Sequence, residues 1–175
     1  MTTSSLRGVT ALATFAVLAL SAPLATARAQ EAGIAVGTMA PAAMVESLDG
    51  KPMDLGDIYG KGTPVVLEFW ATWCPLCRKL EPSMAAARSK YDGKVKFVGV
   101  GVSANQSPER QKLHIEANKM GGMYVFDRSD AATKAFQVPH TSYVVVLDGT
   151  GKVVYTGVGE SQDIDAAVKK VLGVM

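Results

Sequence analysis

The stretch PVVLEFWATWCPLC, residues 64–77, joins a short apolar run to the chain's two cysteines. Residues 64–70 are apolar except Glu68 and show no polar alternation, which is typical of a strand buried on both faces in a parallel or mixed sheet. The three-residue link 71–73 then leads to Cys74. We therefore expect Cys74 at the first turn of a helix that continues to about Lys90, with a kink at Pro82.

The spacing of the two cysteines suits dithiol exchange. At a helix start, unpaired backbone N–H groups and the helix dipole stabilise a thiolate, so the pKa of Cys74 should fall below the free value of about 8.5. Cys77 lies three residues on, on the same helix face, where it can close a disulfide onto Cys74 and release a captured partner. We expect Cys77 to be the more buried and the resolving thiol.

Two other uses of a C-x-x-C pair are less consistent with the sequence. A purely structural disulfide across so short a loop removes little entropy from the unfolded chain, and a chain of this length can bury a self-sufficient core. A zinc site needs two further ligands, and the chain offers only His114 and His140, neither at metal-ligand spacing from the pair. A redox-active pair is therefore the favoured interpretation.

Glu68 places a carboxylate in the middle of the apolar run, where burial is costly. Strand alternation puts it on the side of Val66 and Trp70, beneath the helix that carries the cysteines. Desolvation would raise its pKa, so Glu68 is a candidate proton acceptor for Cys77. The alternative is an acid at a sheet edge, satisfied by water or a lysine.

Residues 1–29 read as a cleaved signal peptide. Arg7 precedes the apolar run Val9 to Leu20, and Ala27-Arg28-Ala29 supplies the small residues that a signal peptidase accepts. Cleavage after Ala29 leaves one domain, residues 30–175, in an extracytoplasmic, periplasmic setting that permits disulfide chemistry. The alternative is an uncleaved N-terminal anchor, since a bilayer is crossed by roughly 20 apolar residues.

Charge argues against a nucleic-acid partner. Removing residues 1–29 takes away Arg7 and Arg28 and no acid, which leaves 16 basic and 16 acidic residues. Apart from Lys169-Lys170 there is no basic run, so neither nucleic acid nor an anionic membrane surface has an electrostatic footprint to bind. We expect a monomer.

The remaining sequence alternates strand and helix patterns, which indicates an α/β sandwich with helices on both sheet faces. Leu113 and Ile115 should be among the inward residues of the second helix. The expected order after the lead-in is a hairpin (43–47 and 52–55), a strand (64–70), a helix (74–90), a strand (95–102), a helix (108–118), a strand (124–126), a short helix (130–136), a second hairpin (143–147 and 152–155) and a last helix (161–172).

The chain resembles TlpA/ResA-type members of the thioredoxin-like superfamily over most of residues 36–172. The likeness rests on the VGxxAP motif at 36–41, LDGK at 48–51, VVLEFWATWCPLCR at 65–78 and DxxG at 148–151. It implies a thioredoxin fold with an N-terminal hairpin and a central strand-helix insert at 95–118, and thiol-disulfide exchange on exported proteins. It also matches Glu68 to a buried acid, Trp73 and Pro75 to residues around the attacking cysteine, and Pro82 to a helix-kinking proline.

One departure concerns the loop expected to contact substrate. The family has a cis-proline six residues before the aspartate of DxxG, and here that position is Ser142, while Pro139 comes three residues early. We favour Ser142 in that place, preceded by Thr141 through a trans peptide bond, because a cis bond before a non-proline residue costs about 3 kcal/mol. The alternative is a rearranged loop in which Pro139 serves.

His140 lies in the same loop and supports a different class of function. Two thiolates and an imidazole suit copper, so a copper metallochaperone using Cys74, Cys77 and His140 is the alternative; the simpler expectation is a loop histidine touching solvent or substrate. His114 should lie on the helix surface. Met120 and Met123 should fill gaps in the core.

The sequence thus predicts an exported protein-disulfide reductase without a prosthetic group. Cys74 attacks a substrate disulfide, Cys77 resolves the mixed disulfide, and a membrane electron donor restores the dithiol. No histidine stands between the cysteines to stabilise the thiolate strongly, which favours a reductant over an oxidant.

Overall fold

The central element is a seven-stranded mixed sheet, described in a computed structural model that covers residues 1–2 and 33–174. The predicted signal peptide, residues 1–29, therefore lies outside the described residues apart from the first two. No helix within the described ranges is long and apolar enough to cross a membrane. The strands run in the order β2-β1-β5-β4-β3-β6-β7. They are β1 (Met44–Ser47), β2 (Pro52–Asp54), β3 (Val65–Trp70), β4 (Lys96–Val102), β5 (Met123–Asp127), β6 (Tyr143–Leu147) and β7 (Val153–Val158).

The apolar run of the opening stretch forms the central strand. Every residue of β3 is buried, and β3 pairs in parallel with β4 and antiparallel with β6. The predicted strand in a mixed sheet is therefore confirmed. Its carboxyl end leads directly to the cysteines.

Helices cover both faces of the sheet, as predicted. They are α1 (Pro75–Lys90), α2 (Pro108–Ala117), α3 (Ala131–Ala135) and α4 (Ile164–Leu172). Val66 and Val144 pack with residues of α1 and α4 on one face, whereas Phe69 packs with Phe136, next to α3, on the other. The predicted strand-helix unit at 95–118 is present as β4 and α2, and the predicted N-terminal hairpin as β1 and β2.

Two glycines of β4 clear space on the face beneath α2. A Cβ added at Gly99 would lie 2.5 Å from the Tyr124 ring, and one added at Gly101 would lie 1.7 Å from the Gln111 amide nitrogen. Gly99 pairs with Glu68 in the sheet, so this cleared area adjoins the buried acid. A larger residue at Gly99 would displace Tyr124, and one at Gly101 would displace Gln111.

The expectation that Leu113 faces inward is wrong, since this side chain is 66% exposed. Ile115 packs against the core as predicted, and the inward face of α2 also carries Pro108 and Gln111. These residues follow helical spacing, and Leu113 lies off that stripe. Gln111 is a polar residue on this stripe and is fully buried.

Two further boundaries and one methionine differ from the predictions. Helix α4 begins at Ile164 rather than 161, because the Asp163 carboxylate caps it by accepting from the N–H of Ala166 at 2.9 Å. Strand β7 continues to Val158. Met120 packs against the core as expected, but Met123 starts β5 as an exposed residue, so its assignment to the core is wrong.

Candidate active site

The cysteine pair occupies the predicted position at the start of α1. Cys74 is the N-cap, Pro75 takes the first helical position, and the two cysteines form a disulfide with their Cα atoms 5.3 Å apart. The backbone N–H of Cys77 donates to the sulfur of Cys74 at 3.0 Å. An N–H directed at this sulfur and the positive end of the helix dipole both stabilise a thiolate on Cys74 once the disulfide is reduced.

The expectation that Cys77 is the more buried cysteine is wrong for this oxidised state. Cys74 is 1% exposed and Cys77 is 5% exposed. The disulfide holds the Cys74 sulfur against the first turn of the helix, and both cysteines belong to the larger core cluster. The side chain of Cys77 borders a cavity, which accounts for its slightly greater exposure.

Glu68 lies beneath α1, as strand alternation predicted. It is 5% exposed, and burial raises the pKa of Glu68 from 4.5 to about 8, with a smaller contribution from the negative charge of Glu81. Arg88 opposes this shift, but its guanidinium forms an ion pair with Glu81. Burial also raises the pKa of Glu81, despite this partner. The Glu68 carboxyl can therefore change its protonation state near neutral pH.

A cavity of about 270 Å³ brings Glu68 together with Cys77. Its wall includes Glu68, Trp70, Cys77, Glu81, His114 and Met120. A carboxyl group and a cysteine at one small cavity can exchange a proton directly or through water, which suits general base chemistry at Cys77.

His114 also borders this cavity, so the expectation of a surface histidine is wrong. Its imidazole is half-buried and lies 5.8 Å from the Trp70 ring, centroid to centroid, at an interplanar angle of 45°. Helix α2 turns the histidine inward because His114 follows Gln111 by three residues on the stripe that faces β4. The sequence signal was this spacing, which was masked by the polar neighbours of His114.

Sequence reasoning also missed Gln106, which joins two loops at the site. Its amide oxygen accepts from the N–H of Thr72 at 3.0 Å, and its amide nitrogen donates to the carbonyl oxygens of Val102 at 2.6 Å and Trp70 at 3.3 Å. These bonds hold the segment before Cys74 against the end of β4. No sequence motif marks a lone glutamine in a loop for this role.

Trp73 and Pro75 lie at the surface next to the disulfide. Trp73 is 39% exposed, and its indole N–H donates to the carbonyl oxygen of Ala104 at 2.7 Å. Pro75 and Leu76 are exposed as well. Together they form an apolar surface that a partner polypeptide can contact.

All peptide bonds of the loop 138–142 are trans. This was expected for the Thr141-Ser142 bond, and the bond before Pro139 is trans as well. Ser142 is fully buried with a φ of 67°, a left-handed conformation that non-glycine residues rarely adopt. Its N–H donates to the carbonyl oxygen of Phe69 at 2.8 Å, and its carbonyl accepts from the side chain of Gln162 at 3.1 Å. These bonds fix Ser142 at the entrance to β6, and Thr141 is half-buried beside it.

The structure does not assemble a copper site. His140 is exposed, and among residues 1–2 and 33–174 no three His, Cys, Asp or Glu side chains are placed to hold a metal ion. Cys74, Cys77 and His140 thus do not form the group that the alternative requires, and the copper metallochaperone is not favoured.

Comparison with known proteins places these features in a family. The Redoxin family model matches residues 35–172. The chain is 32% identical over 142 residues to the thiol-disulfide oxidoreductase ResA of Geobacillus thermodenitrificans, an alignment that covers 77% of each protein. It is 37% identical to the thioredoxin-like protein YneN of Bacillus subtilis over 82 residues, which span about half of either chain, 47%.

Solved structures show the same fold. A thiol:disulfide interchange protein of the thioredoxin family from Chlorobium tepidum superposes with a TM-score of 0.66 and 27% sequence identity, covering 80% of this chain and 99% of that one. The superposition covers most of both chains, so the expected thioredoxin-like fold is confirmed.

Proposed function

Because the chain belongs to the Redoxin family and is a thiol-disulfide oxidoreductase of the ResA type, we propose that it reduces disulfides in exported proteins through Cys74 and Cys77. The observation that carries this proposal is the disulfide at the N-terminus of α1, bordering the cavity that contains Glu68. Export rests on the sequence of residues 1–29 and on no structural feature.

The reaction begins with the reduced protein. The Cys74 thiolate attacks one sulfur of a substrate disulfide, which forms a mixed disulfide and releases the first substrate sulfur as a thiolate. Cys77 then gives its proton to the Glu68 carboxylate and attacks the Cys74 sulfur. This step closes the Cys74–Cys77 disulfide and releases the second substrate thiolate, so two electrons pass from the dithiol to the substrate.

Several neighbouring residues have supporting roles in this proposal. Trp73 and Pro75 provide the surface for the substrate chain, and the backbone at Thr141 provides a polar edge beside it, held in place by the buried Ser142. The partners are protein thiols and disulfides together with a membrane electron donor that returns the oxidised pair to the dithiol.

Direction depends on the reduction potential. Thiolate stabilisation here comes from the helix start and one N–H, with no histidine between the cysteines, so the reduced form is only moderately stabilised. The potential should therefore lie nearer to about −270 mV, as in thioredoxin, than to about −120 mV, as in strong oxidants. Equilibration with glutathione or dithiothreitol buffers would measure it.

The direct test of the cycle uses Cys77→Ser with insulin as the probe substrate. Without the resolving thiol, Cys74 should remain in a mixed disulfide that non-reducing gels and mass spectrometry detect. Cys74→Ser is the matched control and should form none. Equal trapping by both variants, or reduction of insulin by Cys74→Ser at the wild-type rate, would contradict the assigned roles.

A further inference from the structure

We propose that His114 carries protons between Glu68 and solvent through the cavity beneath α1, and so is a second proton-transfer residue of the resolving step. The proposal rests on the role assigned to Glu68 above. It adds a requirement that the role leaves open: with its pKa raised to about 8, the Glu68 carboxyl is largely protonated at pH 7 and, being 5% exposed, must release that proton before it can accept one from Cys77.

The cavity supplies the route. Glu68 and Cys77 form its buried end. Arg78 and Asn118, which border the same cavity, are exposed and so mark the side that reaches solvent. His114 of α2 borders the same cavity and is half-buried, so its exposure is intermediate between those of the two sets of residues.

The other polar groups of this region are poorly suited to move a proton at neutral pH. An arginine such as Arg78 stays charged, and Glu81 is held in an ion pair with Arg88. Burial holds the pKa of Tyr124 far above neutrality. An imidazole, by contrast, can accept a proton at one ring nitrogen and release one from the other.

The charged and titratable groups that share the cavity wall with His114 are Arg78 and Glu81 from α1 and Glu68 from β3. Arg88 is paired with Glu81, and Tyr124 of β5 contacts Trp70, whose ring also contacts His114. Burial lowers the pKa of His114, and the positive charge of Arg78 lowers it further. The imidazole is therefore neutral at pH 7. In one transfer, water in the cavity takes the proton from the Glu68 carboxyl and passes it to one ring nitrogen, while the other nitrogen releases a proton to solvent, so one proton leaves and no electrons move.

His114 also contacts Trp70, so a purely structural role must be distinguished from proton transfer. The Glu68→Gln variant removes the acceptor, and His114→Phe keeps an aromatic ring beside Trp70 but cannot titrate. His114→Gln keeps a polar side chain without a titrating group. Leu113→Gln changes the exposed neighbour on the same helix and is the matched control.

The experiment follows the resolving step alone. The reduced protein is mixed with hydroxyethyl disulfide, and the decay of the Cys74 mixed disulfide is measured by acid quench and mass spectrometry from pH 6 to 8. His114→Gln and His114→Phe should each slow this decay about 10-fold, below the range for direct general base catalysis because water mediates the transfer. Leu113→Gln should decay at the wild-type rate.

Two further arms decide between the alternatives. In the Glu68→Gln background, His114→Gln should not slow the decay of the mixed disulfide any further. Added imidazole should accelerate this decay in His114→Ala but not in the wild type. A wild-type rate in His114→Phe, an undiminished effect of His114→Gln in the Glu68→Gln background, or no response of His114→Ala to imidazole would overturn the proposal. A wild-type rate in Glu68→Gln alone would instead remove the role of Glu68, and this inference would fall with it.

Discussion

At the scale of single residues, Glu68 shows how burial converts an ordinary acid into a group that titrates near neutrality. A carboxylate loses its hydration when it is enclosed, so its neutral form is favoured and its pKa rises to about 8. The same residue type at the surface would stay ionised and could not exchange a proton with a thiol at neutral pH. The position within β3, under α1, is therefore what makes this residue useful.

This shift has a consequence for stability. The folded-state pKa of about 8 is above the ordinary value of 4.5, so the folded protein holds the Glu68 proton more tightly than the unfolded chain does. Stability should fall as pH rises from about 4.5 to 8, by at most about 5 kcal/mol, because one pKa unit corresponds to about 1.4 kcal/mol. Glu68→Gln lacks this loss.

The free energy of unfolding, measured in urea at pH 5 and pH 8, tests this point. The free energy of unfolding of Glu68→Gln minus that of the wild type should be larger at pH 8 than at pH 5. Glu116→Gln, which changes an exposed carboxylate on α2, is the control and should show no such shift. Parallel pH dependences for Glu68→Gln and the wild type would show that Glu68 is not a buried acid with a raised pKa.

Individual residues also differ in how far the sequence predicts them. Cys74, Cys77 and Glu68 were identified because each is exceptional in its local pattern: a C-x-x-C after a strand, and an acid in an apolar run. His114 and Gln106 were not identified, since their roles depend on tertiary contacts with β3. His114 makes its contact from α2, and Gln106 from the loop after β4. Such contacts join residues more than 30 positions apart, as in the bond of Gln106 to Thr72, and leave no local signature.

At the scale of elements, the loop before β6 shows how a backbone conformation can replace a sequence motif. Ser142 occupies a left-handed conformation and uses its N–H to extend the pairing with β3 through Phe69. Its hydroxyl is buried and has no hydrogen-bond partner among the described residues. The cost of both features must be offset by the bonds of its backbone and by the packing around it.

Substitutions at Ser142 should therefore separate the backbone from the side chain. Ser142→Pro should lower the free energy of unfolding by about 3 kcal/mol or more, because proline fixes φ near −65° and removes the N–H that binds Phe69. Ser142→Gly should leave it unchanged or raise it by up to about 1 kcal/mol, since glycine adopts positive φ readily. Urea unfolding of both variants at pH 7 checks this, and a proline variant as stable as the wild type would contradict the described loop.

The order and type of the helices and strands were predicted more accurately from the sequence than their buried faces and their terminal residues. Hydrophobic runs and turn residues set the strands and helices, as β3 and the cap of α2 at Ser107 illustrate. The inward face of α2 was misjudged because Gln111 is buried against Gly101 while Leu113 points to solvent. A glycine in a neighbouring strand leaves room for one side chain of the helix, and tertiary packing decides which one. Hydrophobic periodicity alone does not reveal it.

At the scale of the whole molecule, the sheet brings the cysteines, Glu68 and the loop at Ser142 to one region. The strand β3 is central, its carboxyl end leads to Cys74, and β6 pairs with it antiparallel, so the start of β6 lies beside that same end. The chain thereby assembles its reactive site from residues 68 to 142 with backbone pairing as the main constraint.

The balance of charge over residues 30–175 adds a prediction about encounters with substrates. With 16 basic and 16 acidic residues, this part of the chain has no formal net charge to steer charged partners. The rate of reduction of a disulfide peptide that carries charges of one sign should change by less than about 2-fold between 50 and 500 mM NaCl, because there is little electrostatic attraction for salt to screen. A steep fall with salt would instead reveal a charged docking surface.

The most direct test of the account is the reactivity of the two thiols in the reduced protein. Iodoacetamide labelling, followed across pH 5 to 9 and located by mass spectrometry, reports which sulfur is a thiolate. We expect Cys74 to be labelled first, with a midpoint well below about 8.5, and Cys77 to react only at higher pH. Labelling of Cys77 before Cys74, or equal midpoints near the value of a free thiol, would contradict the claim that the start of α1 activates Cys74.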